Sequence, residues 1–269
     1  MRGRVLLVAG SDSGGGAGIE ADIKTVTSLG AYAATAITAL TAQNTLGIDA
    51  IFPVPPDFVR RQIASVLSDI GADVVKTGML VDAAMIDAVA DVREALAPDL
   101  PLVVDPVMVS TNGTRLLDEA ALDTLERRLI AYATVLTPNV PEAEALLGRR
   151  IESLNAMIGA AADLRALGPR IVMLKGGHLQ GPRVQDVISD IDGHYVLDAA
   201  RIETRHTHGT GCTLASAIAV GLAQGLAPRR AIERAHGYVQ EAIRAAPGLG
   251  RGRGPLNHAH PCETFDRGS

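Results

Sequence analysis

The stretch His206-Thr207-His208-Gly209-Thr210-Gly211-Cys212-Thr213-Leu214 decides how this chain is interpreted. Its glycine-rich turn runs into the apolar, small-residue segment 214–225, which predicts a helix. Glycines let backbone N–H groups converge, and a helix N-terminus adds partial positive charge. We therefore expect the turn from Gly209 through Thr210 and Gly211 to Cys212 to bind an anion such as phosphate.

The same stretch leaves other interpretations open. A Gly-Thr-Gly turn before a helix also fits a plain loop, and a buried cysteine is often only a small hydrophobic residue. Cys212 in the first helical turn predicts a lowered thiol pKa. No Gly-Lys-Ser/Thr sequence follows a glycine-rich loop, which argues against a P-loop.

The composition predicts a globular protein with a sizeable core. Of the 269 residues, 47% are hydrophobic and 20% are charged. A net charge of −5 with 3% aromatic residues argues against nucleic acid as the main partner. Cys212 and Cys262 suggest neither a disulfide framework nor a CxxC metal site. The sequence shows no signal-peptide pattern and no apolar run of ~20 residues, so we expect a cytoplasmic protein with no membrane partner.

Strands and helices are predicted in alternation along the whole chain. Continuous apolar runs predict buried strands, and apolar residues at helical spacing predict helices. The predicted strands are 5–9, 32–40, 49–52, 72–76, 102–104, 134–136 and 171–175, with a hairpin over 184–197. The predicted helices include 19–29, 55–70, 82–96, 118–130, 153–167, 214–225 and 228–246. This alternation predicts one α/β domain over residues 1–260 around a mainly parallel sheet, followed by an irregular tail over 261–269.

Glycine-rich and polar segments follow several of these strands. Ligands of parallel sheets bind outside the carboxyl ends of the strands, so such segments favour a site. The loop Gly10–Gly18 does not have the spacing of a dinucleotide fingerprint; it fits a flexible loop or a close approach to a small ligand. Gln43 offers one acceptor and two donors, which suits a ring nitrogen beside an exocyclic amine, although a surface polar loop fits equally well. Residues Ser110–Arg115 predict a mobile turn or lid.

Taken together, the segments resemble one family. The motifs that carry the resemblance are Ala9-Gly10-Ser11-Asp12-Ser13, Gly14-Gly15-Gly16-Ala17-Gly18, Ala21-Asp22, Thr41-Ala42-Gln43-Asn44-Thr45, Lys76-Thr77-Gly78-Met79, Asp105-Pro106-Val107-Met108, Thr137-Pro138-Asn139 with Glu142, Lys175-Gly176-Gly177-His178, the opening stretch, and Leu249-Gly250 with Gly254-Pro255-Leu256-Asn257-His258. In this order they resemble the hydroxymethylpyrimidine/phosphomethylpyrimidine kinases of thiamine biosynthesis. The resemblance runs from Val5 to His258. It implies a ribokinase-like three-layer α/β/α sandwich, a homodimer, and two successive phosphorylations of an aminopyrimidine alcohol by Mg-ATP.

The resemblance also implies an acceptor site. Gln43 would bind the pyrimidine edge, with the Gly10 backbone and Asp22 beside it, and Met79 and Val107 would sandwich the ring. Taken alone, Met79 and Val107 fit ordinary core packing.

The nucleotide site implied by the resemblance uses four further residues. Asp105 and Glu142 would lie near the phosphates and Mg²⁺, which proteins hold through few carboxylates and several waters. Asn139 and Lys175 would face the ATP phosphates. Each also has a simpler interpretation: Asp105 as a strand-end turn residue, Glu142 as a helix-dipole partner, and Lys175 as a solvated strand end.

Cys212 carries a mechanistic hypothesis. Many ribokinase-like sugar kinases carry Asp at this position, and a neutral hydroxymethyl group benefits from a base when it attacks. We hypothesise that the Cys212 thiolate is that base, whereas a phosphate acceptor with a second pKa of ~6 needs none. A pyridoxal kinase of the same superfamily remains an alternative, and a non-catalytic ligand-binding protein is another. A metal site formed by His206 and His208 is disfavoured because no third ligand lies nearby.

Overall fold

Strand β1 (Arg4–Ala9) lies inside a sheet and sends its side chains alternately into two hydrophobic cores. Leu6 and Val8 enter one core, whereas Val5 and Leu7 enter the other, and all four are fully buried. A strand covered on both faces explains the unbroken apolar run in the sequence. The computed structural model describes residues 1–110 and 113–262.

The central sheet has eight strands in the order β10-β9-β8-β7-β6-β5-β1-β2. The strands after β1 are β2 (Tyr32–Ile37), β5 (Val74–Thr77), β6 (Leu102–Val104), β7 (Val135–Leu136), β8 (Ile171–Leu174), β9 (Arg183–Asp190) and β10 (Gly193–Ala200). All neighbouring strands from β2 to β8 pair in parallel, and β9 and β10 form the antiparallel hairpin at one edge. The prediction of a mainly parallel sheet is therefore confirmed.

The predicted strand 32–40 is in fact two strands. β2 ends at Ile37, and β3 (Ala39–Gln43) pairs with β4 (Ile48–Pro53) in a separate antiparallel sheet. Thr38 makes the break: its N–H bonds to the Ala9 carbonyl, and its hydroxyl donates to the Met79 carbonyl at 2.7 Å. The small sheet carries Gln43 away from the main sheet and over its carboxyl end.

Eight α-helices cover the two faces of the sheet in the described part of the chain. They are α1 (Gly18–Ser28), α2 (Pro56–Asp69), α3 (Ala83–Leu96), α4 (Leu122–Arg128), α5 (Val140–Leu147), α6 (Leu154–Ala166), α7 (Thr210–Ala223) and α8 (Pro228–Arg244). Helices α1, α7 and α8 contribute to one core, and α2 to α6 contribute to the other. This is the predicted three-layer α/β/α sandwich. No helix among these residues is long and apolar enough to cross a membrane.

Three predicted segments differ from the structure or extend beyond it. The predicted helix 118–130 is broken, because 3₁₀ turns at Glu119–Ala121 and Ile130–Tyr132 flank the short α4. Residues 111 and 112 of the predicted lid lie outside the described residues, as do residues 263–269 of the predicted tail.

The order of the strands places a crevice beside β1. Strand β1 lies between β2 and β5, so the chain proceeds outward from it in both directions. Open parallel sheets bind ligands at such a switch point, outside the carboxyl ends of the strands.

Candidate active site

A cavity of about 800 Å³ lies over the carboxyl ends of the central strands. Residues that follow five of these strands line it, together with residues from the small sheet and from the turn before α7. The predicted site residues on its wall are Gly10, Gln43, Met79, Asp105, Val107, Asn139, Glu142, Lys175, Gly209, Thr210, Gly211 and Cys212. Gln43 and Cys212 therefore face the same space, as the predicted site requires.

The turn before α7 has the geometry of an anion site. Gly209 is the N-cap residue of α7 with φ +82°, and a Cβ there would overlap the Gly16 carbonyl oxygen. The first N–H groups of a helix have no partner within the helix, and here they begin at the cavity wall. A Cβ on Gly211 would lie 3.2 Å from Lys175 Nζ, so the backbone of the turn packs closely against this ammonium group. The amide groups of the turn and the Lys175 ammonium group thus lie side by side on the cavity wall.

Lys175 and Asp105 form an ion pair beside this turn. Lys175 Nζ donates to Asp105 Oδ1 at 3.0 Å, and the Thr137 hydroxyl donates to the same oxygen at 3.1 Å. Burial lowers the pKa of Lys175, but Asp105 and Glu142 outweigh it, and the net pKa is raised. Lys175 is therefore a charged, partly buried cation on the cavity wall rather than a solvated strand end.

Asn139 and Glu142 form a capping box at the start of α5. Glu142 accepts from the Asn139 N–H at 2.8 Å, and Asn139 accepts from the Glu142 N–H at 2.9 Å. Burial raises the pKa of Glu142 to about 7, against the opposing charge of Lys175. Both residues thus have a structural role as well as a place on the cavity wall.

Asp105 and Glu142, the two carboxylates predicted to bind a metal ion, both lie on the cavity wall. Two carboxylates of this kind suit Mg²⁺, which takes few protein oxygens and completes its shell with phosphate and water. No group of three or more His, Cys, Asp or Glu side chains converges among residues 1–110 and 113–262. This donor set does not fit a structural zinc site, which needs four ligands.

The structure does not place Asp22 on the cavity wall. Its side chain is fully buried: Lys76 Nζ donates to it at 2.7 Å, and the Ser216 hydroxyl donates at 2.7 Å. Burial alone would lower the pKa of Lys76, but Asp22 and other nearby negative groups outweigh this effect, and the net pKa is raised. The lysine is therefore charged and forms an ion pair with Asp22. The expected contact between Asp22 and the pyrimidine is corrected accordingly, because Asp22 neutralises a buried lysine instead.

Cys212 also differs from its prediction. Burial raises the pKa of its thiol to about 12, although the nearby charge of Lys76 opposes the rise. The prediction of a lowered pKa is therefore wrong, because loss of water around the sulfur outweighs the helix terminus and the lysine. The thiol is neutral at physiological pH in this structure, which argues against a resting Cys212 thiolate as the base.

The sequence interpretation missed a cluster of Asp12 and His208 beside Gln43. His208 Nε2 lies 2.8 Å from Asp12 Oδ2 and 3.1 Å from Gln43 Nε2. Both residues stand within the quoted motifs, but their 196-residue separation gave no sign that they meet. His208 therefore pairs with a carboxylate and an amide.

A C-terminal strap, residues 252–255, ties two walls of the cavity together. The Gly252 and Arg253 N–H groups donate to the hydroxyl and carbonyl of Thr45 at 3.2 and 3.0 Å. The His208 N–H donates to the Gly254 carbonyl at 3.2 Å. The strap thus fixes the loop after Gln43 against the turn before α7.

The chain is similar in sequence to known proteins over most of its length. The family model described as phosphomethylpyrimidine kinase matches residues 12–257. A hydroxymethylpyrimidine/phosphomethylpyrimidine kinase of Streptomyces coelicolor is 48% identical over 94% of this chain and 93% of its own length. A thiamine biosynthesis bifunctional protein of Geobacter sulfurreducens is 52% identical over 96% of this chain, and the chain spans about half (52%) of that protein's length.

Solved structures show the same fold. A pyridoxal kinase of Bacillus subtilis in complex with ADP superposes with a TM-score of 0.89 at 35% identity, covering 96% of this chain and 98% of its own. A phosphomethylpyrimidine kinase of Clostridium difficile superposes with a TM-score of 0.79 at 38% identity, covering 89% and 99%. The match of the family model over most of the sequence shows that this chain belongs to the phosphomethylpyrimidine kinase family.

Proposed function

We propose that the cavity transfers the γ-phosphoryl group of ATP to 4-amino-5-hydroxymethyl-2-methylpyrimidine and then to its monophosphate, a reaction sequence of thiamine biosynthesis. The observation that carries the proposal is that Gln43 lines the same cavity as the anion-binding turn and Lys175. One end of the cavity thus offers a carboxamide that can hydrogen-bond the edge of a heteroaromatic ring, and the other offers hydrogen-bond donors for phosphate. The names of the relatives support this acceptor.

The end of the cavity that would bind the phosphoryl acceptor is an apolar slot with one polar side chain, Gln43. Met79 and Val107 lie on the cavity wall and supply apolar surface for the two faces of a ring. A Cβ on Gly10 would lie 2.9 Å from Met79 Sδ, so only glycine leaves the sulfur in its place. The carboxamide of Gln43 pairs with the exocyclic amine and the adjacent ring nitrogen.

The donor end neutralises charge. Phosphoryl transfer depends on positioning and on stabilisation of charge on the moving group. Lys175 and the N–H groups of Gly211 and Cys212 face the oxygens of that group, and Asn139 lies on the same side. Asp105 and Glu142 would hold Mg²⁺, which would supply further positive charge when bound.

Mg²⁺ at this site involves a change in protonation. Glu142 has a pKa raised to about 7 by its burial, so it holds a proton for part of the time at neutral pH. A bound cation favours the ionised carboxylate, and binding therefore releases protons.

The chain forms a homodimer through an apolar surface on the small sheet and the start of α2. Leu40, Phe52 and Phe58 are 47%, 67% and 56% exposed there. Exposed apolar side chains grouped in this way mark an interaction surface. The requirement for ATP and the two free thiols favour the cytoplasm as its compartment.

The test is an ATP-consumption assay with three acceptors offered separately: the pyrimidine alcohol, its monophosphate, and pyridoxal. Turnover of both pyrimidines, with pyridoxal at least about tenfold slower, is the expected result, because Gln43 matches an aminopyrimidine edge. Pyridoxal is the competing acceptor because pyridoxal kinases superpose well on this chain. A preference for pyridoxal would replace the proposed substrate, and no turnover with any acceptor would refute the kinase assignment.

A matched pair of variants locates the reaction. Gln43→Ala removes the carboxamide that would bind the pyrimidine edge, whereas Gln180→Ala removes a carboxamide from a position outside this cavity. We expect the first variant to raise KM for the pyrimidines about 30-fold with little effect on KM for ATP, and the second to change neither. Equal effects of the two variants would contradict the placement of the acceptor.

A further inference from the structure

The carboxamide of Gln43 can take two orientations, which differ by exchange of its oxygen and its nitrogen. The neighbours of the amide decide between them, because each neighbour must receive a hydrogen or supply one. One end of the amide lies 3.1 Å from His208 Nε2, and the other end lies 3.2 Å from Thr41 Oγ1. Both neighbours can be assigned as donor or acceptor from their own partners.

At the first end, His208 must donate. Its Nε2 lies 2.8 Å from Asp12 Oδ2, and Asp12 also accepts from the Gly14 and Ala17 N–H groups at 2.8 Å each. Burial raises the pKa of Asp12, but these donors and His208 outweigh it and leave the pKa lowered. An ionised carboxylate only accepts, so His208 Nε2 carries a hydrogen. A protonated Nε2 cannot accept from an amide N–H, so the Gln43 atom 3.1 Å away must be the oxygen, which shares this hydrogen with Asp12.

At the second end, Thr41 must accept. Its hydroxyl has one hydrogen and donates it to the Ser11 carbonyl at 2.9 Å. Toward Gln43 the same oxygen can only accept, so the Gln43 atom there is the nitrogen. The two ends are independent, and both require that the amide oxygen face His208 and the nitrogen face Thr41. This orientation exchanges the two atoms relative to the assignment above, in which Nε2 lies 3.1 Å from His208 Nε2.

This orientation determines which way round an aminopyrimidine lies. The amide oxygen accepts from the exocyclic amine, and the amide N–H donates to the neighbouring ring nitrogen. In the substrate, the carbon that bears the amine adjoins the carbon that bears the hydroxymethyl arm, whereas the ring nitrogen lies on the far side. The arm therefore lies on the His208 side, and His208 directly precedes the anion-binding turn at Gly209.

We propose that His208, held by Asp12, is a positioning residue that fixes the Gln43 carboxamide and so directs the hydroxymethyl arm toward the anion-binding turn. The proposal rests on the proposed function and adds a specificity determinant to it. The opposite amide orientation would pair with the same ring only when it is turned over, with the arm pointing away from the turn.

The proposal predicts discrimination against one analogue. The 4-oxo analogue of the substrate places a carbonyl where the amine stood and an N–H where the ring nitrogen stood. Both groups then meet the wrong end of a fixed Gln43 amide, and two hydrogen bonds are lost. We expect the wild-type chain to favour the amino substrate over the oxo analogue by about 100-fold in kcat/KM.

The experiment compares this ratio in full-length wild type, His208→Leu and His208→Gln. Leucine removes the donor, so the amide can turn and the ratio should fall below about tenfold. Glutamine can place an N–H near the position of Nε2, so it should restore a ratio of about 30-fold or more. The ratio does not depend on the fraction of folded enzyme, because both substrates are offered to the same sample.

Thr41→Val tests the other end of the amide independently and serves if the leucine variant does not fold. It removes the acceptor for the amide nitrogen, and the ratio should fall several-fold. A wild-type ratio near one would overturn the assigned orientation. A His208→Leu chain that loses activity equally with both substrates, so that the ratio is unchanged, would show a purely structural histidine. Failure of the wild type to turn over the amino substrate would refute the proposed function instead.

Discussion

Alanine at Gly209 tests whether the close packing of the turn before α7, which we propose binds the transferred phosphoryl group, matters for catalysis. Gly209 begins α7 with φ +82°, and Gly225 follows the end of the same helix with φ +81°. Alanine in this left-handed region destabilises the folded state by about 1 to 2 kcal/mol. Because alanine also lowers the conformational entropy of the unfolded chain, about 0.4 to 1 kcal/mol of this loss is offset. The backbone term is therefore the same at both ends of the helix.

The surroundings of the two glycines differ. A Cβ at Gly225 meets nothing within 4 Å, whereas a Cβ at Gly209 overlaps the Gly16 carbonyl oxygen. Gly209→Ala must therefore move the turn or the Gly16 loop. A displacement of ~1 Å in a positioned group can cost about 100-fold in rate. Gly225→Ala should lose about 1 kcal/mol of stability, or ~2 to 4 °C in Tm, with kcat within twofold of wild type.

The assay is ATP consumption with the pyrimidine alcohol, measured beside thermal unfolding of both variants. Gly209→Ala should lose about 100-fold in kcat at temperatures where it remains folded, because its N–H donors no longer match the transferred group. The reasoning fails if folded Gly209→Ala retains kcat within about threefold of Gly225→Ala.

Three further predictions follow from the titrating groups. With a thiol pKa near 12, Cys212 should be alkylated by iodoacetamide about tenfold faster for each pH unit up to pH 9. Cys212→Ala should affect both phosphorylation steps similarly. A plateau of the alkylation rate near pH 7 would instead support the hypothesis that the Cys212 thiolate is the base. Burial raises the pKa of Glu142 to about 7 from its usual 4.5, so the folded state binds this proton more tightly than the unfolded state. The free energy of unfolding should therefore fall as pH rises from 4.5 to 7. In urea titrations Glu142→Gln should flatten this pH dependence, and an unchanged pH dependence would contradict the raised pKa. Lys76→Met leaves Asp22 as an unpaired buried charge and should lower the free energy of unfolding by about 3 to 5 kcal/mol, measured in urea. The double variant with Asp22→Asn should recover much of this loss. A loss below about 1 kcal/mol in Lys76→Met would show that the pair is dispensable.

The positions of several cavity-lining residues could be predicted from the sequence because they follow strands. Asp105 and Lys175 follow buried apolar runs, and parallel strands bring their carboxyl ends to one edge. Gln43 was found in the same way, although it reaches the cavity from the small antiparallel sheet rather than from the central one. The family resemblance and the layered α/β fold are both confirmed. The assigned roles of individual residues stay predictions.

What the sequence could not give depends on burial and on distant pairing. Lys76 and Asp22 lie 54 positions apart, and the packing of α7 against both α1 and β5 makes them partners. Lysine inside a buried strand was the available signal, since such a charge requires a counter-ion. The thiol of Cys212 depends on the balance between a helix terminus, which lowers its pKa, and loss of water, which raises it. Local sequence shows the first of these effects but not the second.

The strap at residues 252–255 has a consequence for how the protein is made. Asp12 and Thr45 leave the ribosome about two hundred residues before their partners, which are His208 for Asp12 and the strap for Thr45. At typical elongation rates this interval is about 10 to 40 s. The nascent chain can build the amino-terminal strands during that time, but not a pocket that recognises substrate. Competence therefore arrives only after the strap has been made, and a chain that stalls before residue 252 should fold in part yet remain inert.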